Sequence, residues 1–444
     1  MKKTFSGGIH PHDFKELARG QAIRALAIPP LVVLPVSQHI GVPCTPTVKK
    51  GDAVRKGQVV AQPDPSNPKR FVSAPVHASV SGKVVAVEPR PHPLGKPTLA
   101  VVIESDGEDA WLDGLLDEAD TEAMDANAIK ARIQAAGIVG MGGAAFPTHV
   151  KISPPPDKPI DTVILNAAEC EPYLTCDYRL MIERTADLVE GLKLLGKALG
   201  AQNLWIGIEA NKMDAVEAFG KAVEGTGIRG GVCAVKYPQG AEKQLIYALT
   251  RRKVPTGGLP LEVGVVVQNV ATALAVAEAV RTNKPLIERV VTVTGDGVER
   301  PGNFLARLGT PMRVLLDEAG LRPGARKVIS GGPMMGIAQA NLDAPVIKGT
   351  SGLLVQREAE PAGWRACIHC GSCIEVCPMQ LTPNAISIAC ESSNLDAIAA
   401  TGILDCFECG CCTYACPARR PIVHWVKWGK VELGKRRAAQ QKAT

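Results

Sequence analysis

No stretch of this chain is long and apolar enough to cross a membrane. The two most apolar runs are Ile28 to Val36, broken by Pro29, Pro30 and Pro35, and Val263 to Val280, broken by Gln268, Asn269 and Glu278. Both fall well short of the ~20 clean apolar residues that a spanning helix needs. Met1 to Phe14 has lysines but no apolar h-region, so this segment is not expected to act as a secretory leader. No motif supports nucleic-acid binding. Net positive charge is confined to one place: from Arg419 to Thr444 eight Lys/Arg stand against the single acid Glu432, so the whole formal excess of +6 lies there and the rest of the chain is close to neutral. With Trp425 and Trp428, residues 423–444 read as a basic tail suited to an anionic membrane face or a partner groove, with a merely solvated terminus as the alternative. At 444 residues, 46% hydrophobic and 21% charged, the chain supports roughly three domains with their own cores.

Cysteine, by contrast, is abundant and patterned. Cys367, Cys370, Cys373 and Cys377 precede Pro378, and Cys406, Cys409, Cys412 and Cys416 precede Pro417. Each run is C-x₂-C-x₂-C-x₃-C-P, the spacing that holds [4Fe–4S] cubanes in bacterial two-cluster ferredoxins. Three thiolates two residues apart wrap one cube, and the backbone at Gly371 and Gly410 can approach its sulfides. In the two-cluster arrangement the fourth cysteine crosses over. The expected sets are therefore Cys367, Cys370, Cys373 and Cys416 for one cluster, and Cys406, Cys409, Cys412 and Cys377 for the other. Zinc or disulfides are the alternative, but zinc prefers one closed set of four ligands. Reduced thiols in this number imply a reducing compartment. Cys44, Cys170, Cys176, Cys233, Cys390 and Cys411 read as small buried hydrophobes, although Cys411 lies between two ligands.

Upstream, Val48 to Val60 and Ser73 to Val87 are short β-rich runs punctuated by Gly51, Gly57 and Gly82. They suggest interlocking hairpins of the biotinyl/lipoyl barrel-sandwich kind, without a carrier lysine in the turn. From Glu104 to Asp125 there are ten acids and no base, a boundary linker leading to the helical pattern of Ala128 to Ala136. Gly140, Gly142 and Gly143 in IVGMGGAAFP let backbone amides approach a phosphate or a flavin ring. A buried-type strand, TVILNAA, then delivers Glu169-Cys170-Glu171-Pro172 at its carboxyl end, where α/β folds place ligands. Read singly, Glu169 and Glu171 also suit helix capping, and Phe146 also suits the core.

Taken together these segments resemble the nucleotide-binding subunit of respiratory complex I and, more closely, the C-subunit family of Rnf (and Rsx) electron transport complexes. The resemblance rests on GGIHPHDFK at Gly7 to Lys15, SQHIGVPC at Ser37 to Cys44, SAPVHASVSG at Ser73 to Gly82, GIVGMGGAAFPTHVK at Gly137 to Lys151, NAAECEPYLTCDYRLM at Asn166 to Met181, and the doubled cysteine run. It implies non-covalent FMN, NADH as hydride donor, and two [4Fe–4S] clusters passing electrons to an iron–sulfur B subunit and membrane subunits, with ferredoxin met indirectly. The place implied is the cytoplasmic face of a bacterial inner membrane.

The resemblance also implies site residues. Gly142, Gly143 and Phe146 match its glycine loop, with Gly140 just before; Met141 and Ala145 stand where the family has Arg and Gly. Asn166, Glu169, Glu171 and Pro172 match its second motif, with Ala168 replacing an Asp. Tyr237, Gly240 and Glu242 occupy the third, and Gln268 and Asn269 replace two asparagines. Glu171 and Glu242 are the residues expected to orient the nicotinamide, and the others to hold cofactor. The fold class expected is multi-domain α+β: a barrel-sandwich-like domain (1–105), an α/β FMN/NADH domain (126–284), a small β-grasp, SLBB-like domain (285–350), a two-cluster ferredoxin-like domain (360–422) and the tail (423–444). The function implied is NADH oxidation in an ion-translocating NAD/ferredoxin oxidoreductase. The NADH-oxidising subunit of a soluble hydrogenase or formate dehydrogenase, and a non-enzymatic electron wire with a vestigial nucleotide domain, are the alternatives.

Overall fold

The computed structural model describes residues 3–358 and 363–443; the expected start of the cysteine domain at residue 360 lies outside them. Two small antiparallel sheets form the N-terminal unit. One has the order Leu31–Pro35, Thr98–Ser105, Gly82–Arg90, Ala53–Val54, and the other Thr45–Pro46, Val59–Gln62, Val76–His77. Their inward side chains, among them Val32, Leu34, Val60, Val76 and Ile103, are fully buried between the layers. Gly82 is required where it stands: its φ is +152° and a Cβ would meet the Glu104 carbonyl at 1.9 Å.

The middle unit is a parallel sheet of Thr162–Ala167, Asn203–Glu209, Arg229–Cys233 and Val265–Asn269, in spatial order third, second, first, fourth. Continuous apolar runs such as Val163, Ile164 and Leu165 suit strands covered on both faces. On one face the helices Thr185–Leu199 and Val270–Thr282 cross closely, because Gly191 lets the backbone sit against Ala273; a Cβ there would lie 2.0 Å from its carbonyl oxygen. On the other face the helix Glu242–Thr250 sets Leu245 and Leu249 over Gly207 and Gly231.

The third unit is a six-stranded mixed sheet around Glu288–Thr294, covered by the helix Met312–Ala319. It extends past the expected boundary at 350. Gly352–Gln356 runs parallel to Glu288–Thr294 inside the sheet, and Ile23–Ala25, from the N-terminal segment, adds an edge strand beside Gly302–Arg307. Both strands come from outside the apparent domain, so a contiguous boundary misses them.

The C-terminal unit is helical and internally repeated. His369, Gly371 and Gln380 have positive φ, as do Glu408, Gly410 and Arg419, the residues at the corresponding places of the second cysteine run. Each run opens a one-turn helix, Ser372–Glu375 and Cys411–Tyr414. The basic segment is no separate tail. Ile422–Ala443 forms one helix whose buried Ile422, Val426, Gly429 and Leu433 pack on Ile386, Cys390, Ile398 and Ile403. Trp425 and Trp428 are partly buried against the same core and meet edge to face at 6.3 Å.

Candidate functional site: a switch-point rim and two cysteine cavities

The strand order reverses between Thr162–Ala167 and Val265–Asn269, and at such a switch point the loops leave in opposite directions and open a crevice. Asn166 and Asn269 are register neighbours at its carboxyl rim. The glycine loop lies over them. Gly140 N–H donates to the Phe146 carbonyl at 2.8 Å, closing the loop on itself, and Ala145 takes φ +54° within it. Gly142 and Gly143 are exposed, and neither amide has a protein acceptor among the described residues. A Cβ on Gly142 would lie 2.8 Å from Asn269 Nδ2, so the loop reaches the rim only as glycine.

The rim is held from inside. Asn269 caps the following helix, accepting from Ala271 N–H at 2.8 Å, and donates to Asp177 at 2.6 Å. Asn166 donates to the Gly240 carbonyl at 2.8 Å, and Gly240 N–H donates to Cys170 Sγ at 3.3 Å. Buried Gln268 leaves its Nε2 without an acceptor. Glu242, the first residue of its helix, meets Lys151 Nζ at 2.5 Å, and the same ammonium donates to the Val267 carbonyl at 2.6 Å. Lys151 thus ties Glu242 to the sheet as a neutral ion pair; it lies within GIVGMGGAAFPTHVK, and only its reach to the Val267 carbonyl singles it out. Exposed amides on a glycine loop over the sheet end fit a phosphate-bearing ligand.

Glu169 and Glu171 do not join the glycine loop. Glu169 accepts from Asp177 and Tyr178 N–H at 2.7 and 3.2 Å, so both oxygens serve the helix Cys176–Glu183, and Phe146 is half buried beside its loop. Burial pushes the Glu169 carboxyl up to about 7, although Lys15 opposes the shift. Glu171 accepts from Met334 and Met335 N–H at 2.7 and 3.2 Å, which ties it to the β-grasp unit; burial raises its pKa against those amides. Tyr237 is buried beside it and its hydroxyl donates to the Cys409 carbonyl at 2.7 Å. The expected site therefore divides: Gly140, Gly142, Gly143, Asn166, Gly240, Glu242 and Asn269 at the switch point, and Glu171 with Tyr237 at the seam with the cysteine domain.

Two cavities occupy that domain. One is lined by Cys377, Cys406, Cys409 and Cys412 with Phe407, Val423 and Val426. The other is lined by Cys367, Cys370, Cys373 and Cys416 with Ile368 and Arg420. Each set takes its fourth cysteine from the other run. No disulfide is formed among the described residues. Cys377 Sγ accepts from Leu381 N–H and Cys406 Sγ from Glu408 N–H, both at 3.4 Å, the backbone contacts that a cluster-bound thiolate uses. Cys411 also lines the first cavity, but its thiol faces the Tyr237 carbonyl at 3.9 Å. Four thiols around an otherwise apolar hollow fit a cubane.

The cavities differ in setting. The first is docked on the N-terminal segment and the middle unit: Gly8 N–H donates to the Val376 carbonyl at 2.8 Å, Gln244 to the Pro378 carbonyl at 3.1 Å, and a Cβ on Gly7 would meet the Cys377 carbonyl at 2.6 Å. The second faces outward, with Cys370 exposed and Ile368 at 66% of its full accessibility.

Residues 3–108 match the barrel-sandwich hybrid domain family of RnfC, 133–278 the Nuo51 FMN-binding domain family, and 290–338 the SLBB domain family. The chain is 46% identical to the C subunit of the proton-translocating ferredoxin:NAD(+) oxidoreductase complex of Clostridium ljungdahlii, over 97% of this chain and 94% of that one. It is 48% identical to the Na(+)-translocating counterpart of Acetobacterium woodii, over 97% of each. The chain belongs to the C-subunit family of these oxidoreductase complexes. A solved chain of an NAD+-reducing [NiFe]-hydrogenase is similar at 21% identity and a TM-score of 0.49, over 71% of this chain and 64% of that one. As in the sequence, no described helix is long and apolar enough to cross a membrane.

Proposed function

We propose that this protein takes electrons from NADH at the switch-point cleft and passes them through two [4Fe–4S] clusters, held in a ferredoxin-like domain, to partner subunits of an Rnf-type complex. Exchange between NAD and ferredoxin, coupled to ion movement, belongs to the whole complex; its B subunit and membrane subunits are the proposed partners and the cytoplasmic membrane face the proposed place. Bound FMN would convert two-electron hydride chemistry into single-electron steps, which cubanes conduct one at a time. The exposed Gly142 and Gly143 amides would meet phosphate, and Asn166 and Asn269 set the floor. Lys151 holds Glu242 at the cleft edge, where the carboxylate would orient the nicotinamide. Glu171 and Tyr237 would fix the cleft against the Cys377/Cys406/Cys409/Cys412 cavity, so that the outward Cys367/Cys370/Cys373/Cys416 cavity comes second in series.

The observation that carries this reading is the grouping of eight cysteines into two four-thiol cavities, the inner one bonded to the nucleotide unit through Tyr237 and Cys409. It is tested by assaying flavin and iron in the anaerobically purified chain and recording its spectrum on adding NADH. One flavin, about eight irons and bleaching of both chromophores are expected. Iron without flavin, and no NADH response, would favour the electron-wire alternative.

A further inference from the structure

Arg289 is nearly inaccessible, yet it belongs to the β-grasp unit rather than to the nucleotide sheet. Its Nε donates to the Thr350 carbonyl at 2.9 Å and its Nη2 to the Met141 carbonyl at 2.8 Å. The flat guanidinium thus bridges its own domain and the glycine loop with two fixed donors, a geometry that lysine cannot reproduce. In a trans peptide the C=O and the next N–H point in opposite directions. Drawing the Met141 carbonyl inward therefore turns the Gly142 N–H outward, where Gly142 is exposed and its amide has no protein acceptor among the described residues. Thr272 secures the other side of Met141: its hydroxyl accepts from Met141 N–H at 2.9 Å and donates to the Val139 carbonyl at 3.2 Å.

We propose that Arg289 is a positioning residue by which the β-grasp domain sets the Met141–Gly142 peptide so that the Gly142 amide donates to the phosphate of a bound ligand. This rests on the flavin and NADH reading above and gives the SLBB-like unit a part in that site. FMN and the dinucleotide both offer phosphate, and riboflavin offers the same ring without it.

The test titrates the purified full chain, freed of flavin, with FMN and with riboflavin by fluorescence quenching. Arg289→Lys, Arg289→Met and Thr272→Val are compared with the parent, and unfolding midpoints are recorded alongside. Arg289→Met should weaken FMN binding ~10-fold or more, about one charge-assisted hydrogen bond, with riboflavin changed less than ~2-fold. Arg289→Lys should fall between, and Thr272→Val, which removes only a hydroxyl, should shift FMN in the same sense if the Arg289 variants do not fold. An unchanged FMN preference with a raised KM for NADH and constant kcat would assign the phosphate to the dinucleotide instead. Equal weakening of FMN and riboflavin, or no change in any arm, overturns the proposal while leaving the flavin reading intact. A parent chain that binds neither flavin overturns both.

Discussion

At the scale of single residues, position relative to the cavities decides what a substitution does. Cys377 belongs by sequence to the first run and by place to the cavity of Cys406, Cys409 and Cys412. Cys377→Ser should disturb the same paramagnetic signal as Cys409→Ser and spare the one disturbed by Cys370→Ser. Low-temperature EPR of the three reduced variants decides it, and a signal shared by Cys377→Ser and Cys370→Ser but not Cys409→Ser would reject the crossed ligation. Glu171 is bonded to Met334 and Met335 at the seam rather than lying free in the cleft. Glu171→Gln keeps one acceptor for those amides, so flavin retention should change little, and NADH turnover with an artificial acceptor should fall ~10²-fold if the carboxylate also aligns the nicotinamide. Unchanged turnover would leave it a purely structural link. The carboxylates of the ECEP segment were legible as a cluster at a strand end; their division between helix cap and domain seam was not, because it depends on where residues 334 and 335 fall.

Among the elements, the C-terminal helix changes most between sequence and structure. Its basic residues and two tryptophans read as a detachable tail, but the apolar positions 422, 426, 429 and 433 follow a helical stripe that closes the cysteine core. Lys430 reinforces this, donating to Glu408 at 2.7 Å beside the first cavity. Leu433→Ala should therefore destabilise the domain by about 2–5 kcal/mol and lower retained iron. Gly429→Ala should do likewise, since its Cβ would lie 2.6 Å from Cys390 Sγ. Charge reversal at exposed Lys427, Lys435 and Arg437 should leave iron content intact and, if this face meets anionic lipid or an acidic partner, weaken membrane association in a salt-dependent way. Iron assay and a flotation experiment at two ionic strengths separate core from surface. The composition revealed the charge, whereas the packing stripe was masked because basic and apolar residues alternate along the same helix.

Over the whole molecule, three units meet around one buried ammonium. Lys348 donates to the Pro75 carbonyl of the barrel-sandwich and the Gly137 carbonyl before the glycine loop, both at 2.7 Å, and burial lowers its pKa to about 8. His77 and His39 lie nearby, held down by burial and then by Lys348 to about 3 and about 4, from an ordinary 6.5. At these two histidines the unfolded chain binds more protons than the native one between those values, so their contribution to stability falls as pH drops through 6.5 toward 4, while the raised Glu169 carboxyl works in the opposite sense. His77→Gln should flatten that acid limb in thermal melts of the flavin-free chain; an unaltered slope would place the acid sensitivity elsewhere.

Spacing along the chain by itself determined the two cysteine runs, the glycine loop, the strand that leads to Glu169 and the family to which they belong, because a turn around a cube or a phosphate is built from residues within a few positions of one another. Tertiary structure alone decided that Ile23–Ala25 and Gly352–Gln356 complete the β-grasp sheet, that Lys151 answers Glu242, that Glu171 serves the seam, and that Arg289 reaches the glycine loop. Those contacts join residues scores or hundreds of positions apart, and their geometry is set by how rigid domains pack, which no local pattern of residues encodes.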